Sequence, residues 1–198
     1  MVNGKLSIGV IGIQGAVSEH VAMMKQVFST CSVDGSVQVI KPSDSLKGID
    51  GVILPGGEST TISRVLQSSG LFSDLKKRIA ERSMVIMGTC AGCILLASEL
   101  IDNTKDVNLL QVMSLQVRRN AYGRQRESFE QFINISSLNS TDENNSLFPA
   151  VFIRAPVIER VWGENTKVLA FDRLDKPIMV QQDNCLALTF HPELSRDL

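Results

Sequence analysis

The sequence is short of the features that would carry a chain into a membrane, out of the cell or onto a polyanion. No apolar run approaches the ~20 residues that span a bilayer. The opening residues, MVNGKLSIGVIGIQGA, hold one lysine and an apolar stretch broken by glycines and a glutamine. A signal peptide would show an unbroken apolar core and a cleavage site instead. Neither sign of charge dominates: 20 Lys and Arg against 21 Asp and Glu leave a net charge of −1. That balance argues against an anionic membrane surface, and with a single tyrosine it argues against nucleic acid. The expected location is cytoplasmic, where the four cysteines, Cys31, Cys90, Cys93 and Cys185, stay reduced. Histidine is scarcest of the chemically active residues. Only His20 and His191 are available to any chemistry that needs one.

What is present fits one globular domain over residues 1–198. Apolar residues make up 43% and charged residues 21%, and ~100–200 residues is an ordinary domain length. Residues 6–13 (LSIGVIGI), 37–41, 51–54 and 84–87 read as short, buried, β-branched strands. Residues 16–28, 59–68, 71–82 and 91–100 carry helical spacing. Strand and helix in alternation predict an α/β fold with a parallel sheet. After residue 105 the pattern changes to strands with few helices between them, at 110–119, 128–135, 151–154, 167–172, 177–181 and 185–190. The polar stretch SSLNSTDENNSLFP (136–149) reads as a surface loop. Nucleotide motifs are weak. Gly9, Gly12 and Gly15 do not make G-x-G-x-x-G, and PGGEST lacks the lysine of a phosphate-binding loop.

The chemistry gathers around MGTCAGCILLA (87–97). A strand runs into Gly88-Thr89-Cys90-Ala91-Gly92 and a helix follows. Small residues on both sides of one nucleophile permit the sharp turn of a nucleophile elbow. Such a turn sets the Cys90 sulfur at the carboxyl end of the sheet, beside a helix N-terminus that favours thiolate. The backbone N–H of Ala91 opens that helix and lacks an intrahelical acceptor. Cys93, one helical turn inside, reads as a small buried hydrophobe. A Cys90–Cys93 redox pair is the competing reading, and zinc would need ligands that the chain scarcely offers.

A nucleophilic cysteine needs a base, and the base needs an orienting group. His191 ends the apolar run CLALTF and precedes Pro192-Glu193. A residue before proline is pushed toward extended geometry, where i and i+2 project to one side. Glu193 can therefore face the imidazole, although a strand-end histidine with an unrelated acidic neighbour would read the same way. LPGGEST (54–60) is the third piece. Its glycines let backbone approach a substrate, and the N–H of Gly57 could join that of Ala91 as an oxyanion hole. The bland reading is a Gly-rich turn with Ser59 or Thr60 capping the next helix, and the capping and oxyanion roles can coexist.

GTCAG, PGGEST upstream and FHPE near the end, in this order, resemble the class I, triad-type glutamine amidotransferases. IGVIGIQGAVSEH (8–20), RRNAYGRQRESFE (118–130), FIRAP (152–156) and TFHPEL (189–194) narrow the resemblance to the glutaminase subunits of pyridoxal 5′-phosphate synthase, the PdxT/SNO family. It runs from residue 6 almost to the end. The resemblance implies a flavodoxin-like, three-layer α/β sandwich with a mainly parallel central sheet. It also implies hydrolysis of L-glutamine to L-glutamate and ammonia for vitamin B6 biosynthesis, with no metal or organic cofactor. Cys90 would form a γ-glutamyl thioester, His191 would be the base and Glu193 its orienting partner. Gly57, Glu58 and Ser59 match the family's glutamine-binding loop, and Arg119, Ile153 and Arg154 match its substrate contacts. A guanidinium fork suits the α-carboxylate of glutamine. Gln14 matches a residue near the oxyanion hole used in partner-dependent activation. The segment 8–24, with His20, would be a docking surface for a (β/α)₈ synthase subunit, which the family assembles as a dodecameric core. Leu198 falls where the family usually continues into a C-terminal helix, and DVNLLQV (106–112) lacks a glycine that relatives often have. A non-catalytic binding protein with this fold, a cysteine-elbow redox or thiol-hydrolase protein, and a glutaminase serving another synthase remain as alternatives.

Overall fold

The computed structural model describes residues 5–101, 106–119, 128–135 and 147–195. The run LSIGVI forms β1 (Leu6–Ile11), flanked by parallel β2 (Gly35–Ile40) and β3 (Gly51–Leu54). β4 (Val85–Thr89) follows β3 in parallel register. The next strand in space is β12 (Cys185–Leu188), again parallel to β4. β11 (Pro177–Gln182) and β10 (Thr166–Phe171) then extend the sheet antiparallel, giving seven strands in the order β10-β11-β12-β4-β3-β1-β2.

Alternation along these strands sorts side chains to two faces. Ile8 and Val10 of β1 and Ile53 of β3 pack against α1 (Val17–Thr30) through Val17, Val21, Met24 and Phe28. Ile11, Val52 and Leu54 join the opposite core with α2 (Ser59–Ser69), α3 (Leu71–Ala80) and α4 (Ala91–Leu96). Helices therefore cover both faces of a mainly parallel sheet, the layered α/β arrangement expected from the sequence.

Three element assignments change. The helix expected over 91–100 stops at Leu96. Ala97–Leu100 form β5, parallel to β6 (Met113–Arg118), and Ser98 Oγ donates to the Met113 carbonyl at 2.7 Å. Pairing with a neighbour that alternates buried and open positions outweighs the weak helical periodicity of ASEL. The second change is an added strand, β9 (Val157–Val161), antiparallel to β6. It lies just after Pro156 and holds only five residues, too short for its period to stand out. The third is β8 (Phe148–Ile153), which starts inside the stretch expected to be loop and pairs with β7 (Ser128–Ile133). Most of that loop, residues 136–146, lies outside the described residues.

Candidate active site

The ladder between β4 and β12 delivers the site. Leu188 pairs with Thr89, and the next backbone N–H, that of Cys90, donates to the Leu188 carbonyl at 2.8 Å. The chain then turns sharply: Cys90 has φ 50° and ψ −105°, a conformation that side-chain-bearing residues avoid. α4 begins at Ala91. The turn closes this tightly because Gly92 sits against β3, where any Cβ would fall onto the Leu54 carbonyl oxygen. Cys90 is the elbow that the sequence predicts.

Past Leu188, β12 carries two more residues to His191. That residue is fixed from the other side by β8, since its N–H donates to the Val151 carbonyl at 2.8 Å. Two residues further along β8, the Ile153 carbonyl accepts from Cys90 Sγ at 3.7 Å. The FIRAP strand thus holds both His191 and Cys90. Gly56 crosses between them, and a Cβ there would come within 2.5 Å of the His191 ring and 3.2 Å of Cys90 Cβ. Only glycine lets that loop pass.

His191 Nδ1 lies 2.8 Å from Glu193 Oε1. The pairing is the expected one, but its route differs. Pro192–Leu194 make a 3₁₀ turn rather than an extended segment, because proline suits the first position of a helical turn. Burial alone would push the His191 imidazole down. Hydrogen bonding to Cys90 and to Glu193 outweighs it and pushes the pKa up to about 10. The ring therefore favours its protonated form, the state that stabilises a neighbouring thiolate.

A cavity of about 600 Å³ opens over Cys90. Gly57, Glu58, Ser59, Ala91, Ile94, Arg119, Ile153, Arg154 and Gln14 all line it. Every site residue expected from the sequence except Glu193 and His20 lines this one space. Arg118 ends β6 and Arg119 follows it. Arg118 pairs with Glu159 at 3.0 Å outside, and Arg119 reaches into the cavity, where Nη1 donates to Ser59 Oγ at 3.3 Å. Arg124 and Arg126 lie outside the described residues. Gln14 Oε1 accepts from the Glu58 N–H at 3.2 Å, which ties the GIQGA loop to the PGGE loop.

Two expectations fail here. Ser59 and Thr60 do not cap α2. Glu58 does: its carboxylate accepts from the N–H groups of Thr60 (3.0 Å) and Thr61 (2.7 Å) and from the Thr61 hydroxyl. Burial would raise this carboxyl, but those donors take it down to about 2. The second failure is His20, which is no docking surface. It is 2% exposed and points inward from α1, with Nε2 3.2 Å from Thr89 Oγ1 and 3.3 Å from Glu193 Oε2. An amphipathic helix offers no sign of which polar residue has turned into the core, so the sequence had no signal for this contact.

Cys93 is fully buried and part of the core below the sheet. Burial and the neighbouring Cys90 push its thiol far up, and both cysteines are free. That setting suits a small packed hydrophobe and not a redox partner.

The model of the SNO glutamine amidotransferase family matches residues 10–198. The chain belongs to this family. The pyridoxal 5′-phosphate synthase subunit PdxT of Pyrococcus furiosus is 46% identical over 192 residues, 97% of this chain and 93% of that protein. PdxT of Thermococcus onnurineus is 45% identical over the same shares of both chains. Among solved structures, a glutamine amidotransferase crystal structure superposes with a TM-score of 0.80 at 38% identity, covering 96% of this chain and 92% of that one. A glutamine amidotransferase from Thermotoga maritima shares the fold, with a TM-score of 0.67 at 15% identity, over 96% of this chain and 77% of that one. In this chain the strand-turn-helix at Cys90 lies where β4 ends and α4 begins.

Proposed function

We propose that this protein is the glutaminase subunit of a pyridoxal 5′-phosphate synthase. It would hydrolyse L-glutamine to L-glutamate and ammonia in the cytoplasm. The observation that carries the reading is the line Cys90–His191–Glu193 at the base of a cavity that two arginines enter. Names of relatives at 45–46% identity supply the synthase.

In this mechanism the Cys90 thiolate attacks the side-chain amide carbon of glutamine. The developing oxyanion lies over the start of α4, where N–H groups of Ala91 and Gly57 hold it. His191 gives its proton to the departing ammonia, leaving a γ-glutamyl thioester, and then takes a proton from the water that releases glutamate. Glu193 holds the imidazole in the tautomer this requires. Arg119 and Arg154, with the Ile153 backbone and the Gly57–Ser59 loop, receive the α-carboxylate and α-amino end of the substrate. Gln14 links the two loops that flank the oxyanion position, so docking of a partner on the GIQGA side has a short path to the site. The partner in this reading is the (β/α)₈ synthase subunit in a dodecameric core, which takes up the ammonia.

The test is glutamate release from glutamine, with and without the synthase subunit, for the wild type and Cys90→Ala. The reading requires activity that depends on the partner and disappears in the variant. A glutamine analogue should alkylate Cys90 alone. A Cys90–Cys93 disulfide, or no turnover in a formed complex, would reject it.

A further inference from the structure

The proposed mechanism uses one histidine, yet the other is buried against the same carboxylate. Glu193 has a fully buried side chain and two oxygens to satisfy. Oε1 accepts from His191. Oε2 is buried and has no hydrogen bond of good geometry. The ring nitrogen beside it is His20 Nε2, at 3.3 Å, which also lies 3.2 Å from Thr89 Oγ1. A buried carboxylate oxygen without a donor is costly. An N–H on His20 Nε2, 3.3 Å away, is placed to supply one.

We propose that His20 is a positioning residue that holds Glu193 from behind, its Nε2–H donating to Oε2 so that Oε1 stays on His191. The proposal rests on the reading of Cys90, His191 and Glu193 as the catalytic set. A neutral donor suits this place better than a cation. Lys or Arg would neutralise the carboxylate that His191 needs, whereas a neutral imidazole fixes its orientation and leaves its charge. Burial pushes the His20 ring down toward the neutral form, and His191 acts in the same direction, against Glu193 and Glu19. Thr89 Oγ1 shares the same N–H as a second acceptor. The arrangement also joins α1 to the far end of the triad. The loop before α1 carries Gln14, so one segment touches the site through Gln14 and through His20.

The experiment measures steady-state glutaminase kinetics on the complex of this protein with its synthase subunit. His20→Ala should lower kcat about 10- to 100-fold, the usual cost of losing a group that orients a functional one. KM for glutamine should stay within about twofold, because His20 does not touch the cavity. His20→Gln, whose amide N–H reaches the position of Nε2, should recover most of the rate, and His20→Asn, one methylene shorter, should not. An unchanged kcat in His20→Ala overturns the proposal. So do equal rates for His20→Gln and His20→Asn, which would mark a mere packing role and which remain readable if the alanine variant does not fold. A wild type that releases no glutamate in the complex would sink the glutaminase reading and this role with it. A live wild type with an indifferent His20→Ala would sink only the role.

Discussion

Replacing Cys90 by glycine should give a more stable protein than replacing it by alanine, the reverse of the usual order. Glycine normally costs about 0.5–1 kcal/mol relative to alanine, because it frees the unfolded chain. Cys90, however, sits at φ 50° and ψ −105°, outside even the left-handed helical well. A residue with a Cβ held in such a region carries roughly 1–3 kcal/mol of strain, and this position belongs in the upper half of that range. Alanine keeps the Cβ and the strain, and glycine releases it. Taking about 2.5 kcal/mol for strain, less about 0.7 for backbone freedom and about 0.8 for the lost methyl, glycine comes out ahead by about 1 kcal/mol. Both variants lack the sulfur, so its packing cancels in the comparison. For a chain of this size that is a Tm higher by about 2–4 °C, readable by differential scanning calorimetry, with urea melts as a check on the free energy. Alanine equal to glycine or above it would show that the elbow is not strained, and the account of how the turn holds the nucleophile would fall.

Three further outcomes follow from the charges. His191 has a folded pKa raised to about 10 from an ordinary 6.5, so its contribution to stability is complete below 6.5 and fades as pH rises toward 10. Urea melts from pH 6 to 10 should show that decline in the wild type, with a flatter profile in His191→Gln. Glu58 is the opposite case: its carboxyl is lowered to about 2 from 4.5, so the stabilisation is present above 4.5 and is lost as pH falls to about 2. Glu58→Ala should cost about 1 kcal/mol at pH 7 as a lost cap, and the gap to wild type in thermal melts should close at low pH. Arg154→Ala should raise KM for glutamine at least about tenfold with a smaller change in kcat, measured in the complex. A change confined to kcat would remove Arg154 from substrate binding.

The arrangement of the site was legible because it is carried by residue types with few alternative uses. A cysteine among small residues, a histidine before Pro-Glu and a paired glycine after a strand each limit the backbone as well as the reaction. The parallel core was legible for a similar reason: β1, β3 and β4 are short, largely buried apolar runs. The antiparallel second half was blurred. β5 and β9 owe their form to β6 lying beside them, and four or five residues hold too little period to announce that. The Glu58 cap was missed because serine and threonine stood next to it and are the commoner caps. His20 was misplaced because nothing in AVSEHVAMM says that the histidine turns inward. That outcome depends on Thr89 and Glu193, 69 and 173 residues away.

The position of β12 has a consequence for how the chain is made. It lies inside the sheet, between β4 and β11, yet it is the last in chain order of the strands among the described residues; Cys185 pairs with Ile86, 99 residues earlier. A nascent chain can build β1 to β4 with α1 to α3 and still hold an open seam where β12 belongs. Until that strand arrives, Cys90 has neither the Leu188 carbonyl that accepts from its N–H nor His191 beside it. The site is therefore assembled late, by completion of the sheet. A prematurely terminated chain would carry an unassembled site and an exposed seam, a molecule fit for degradation.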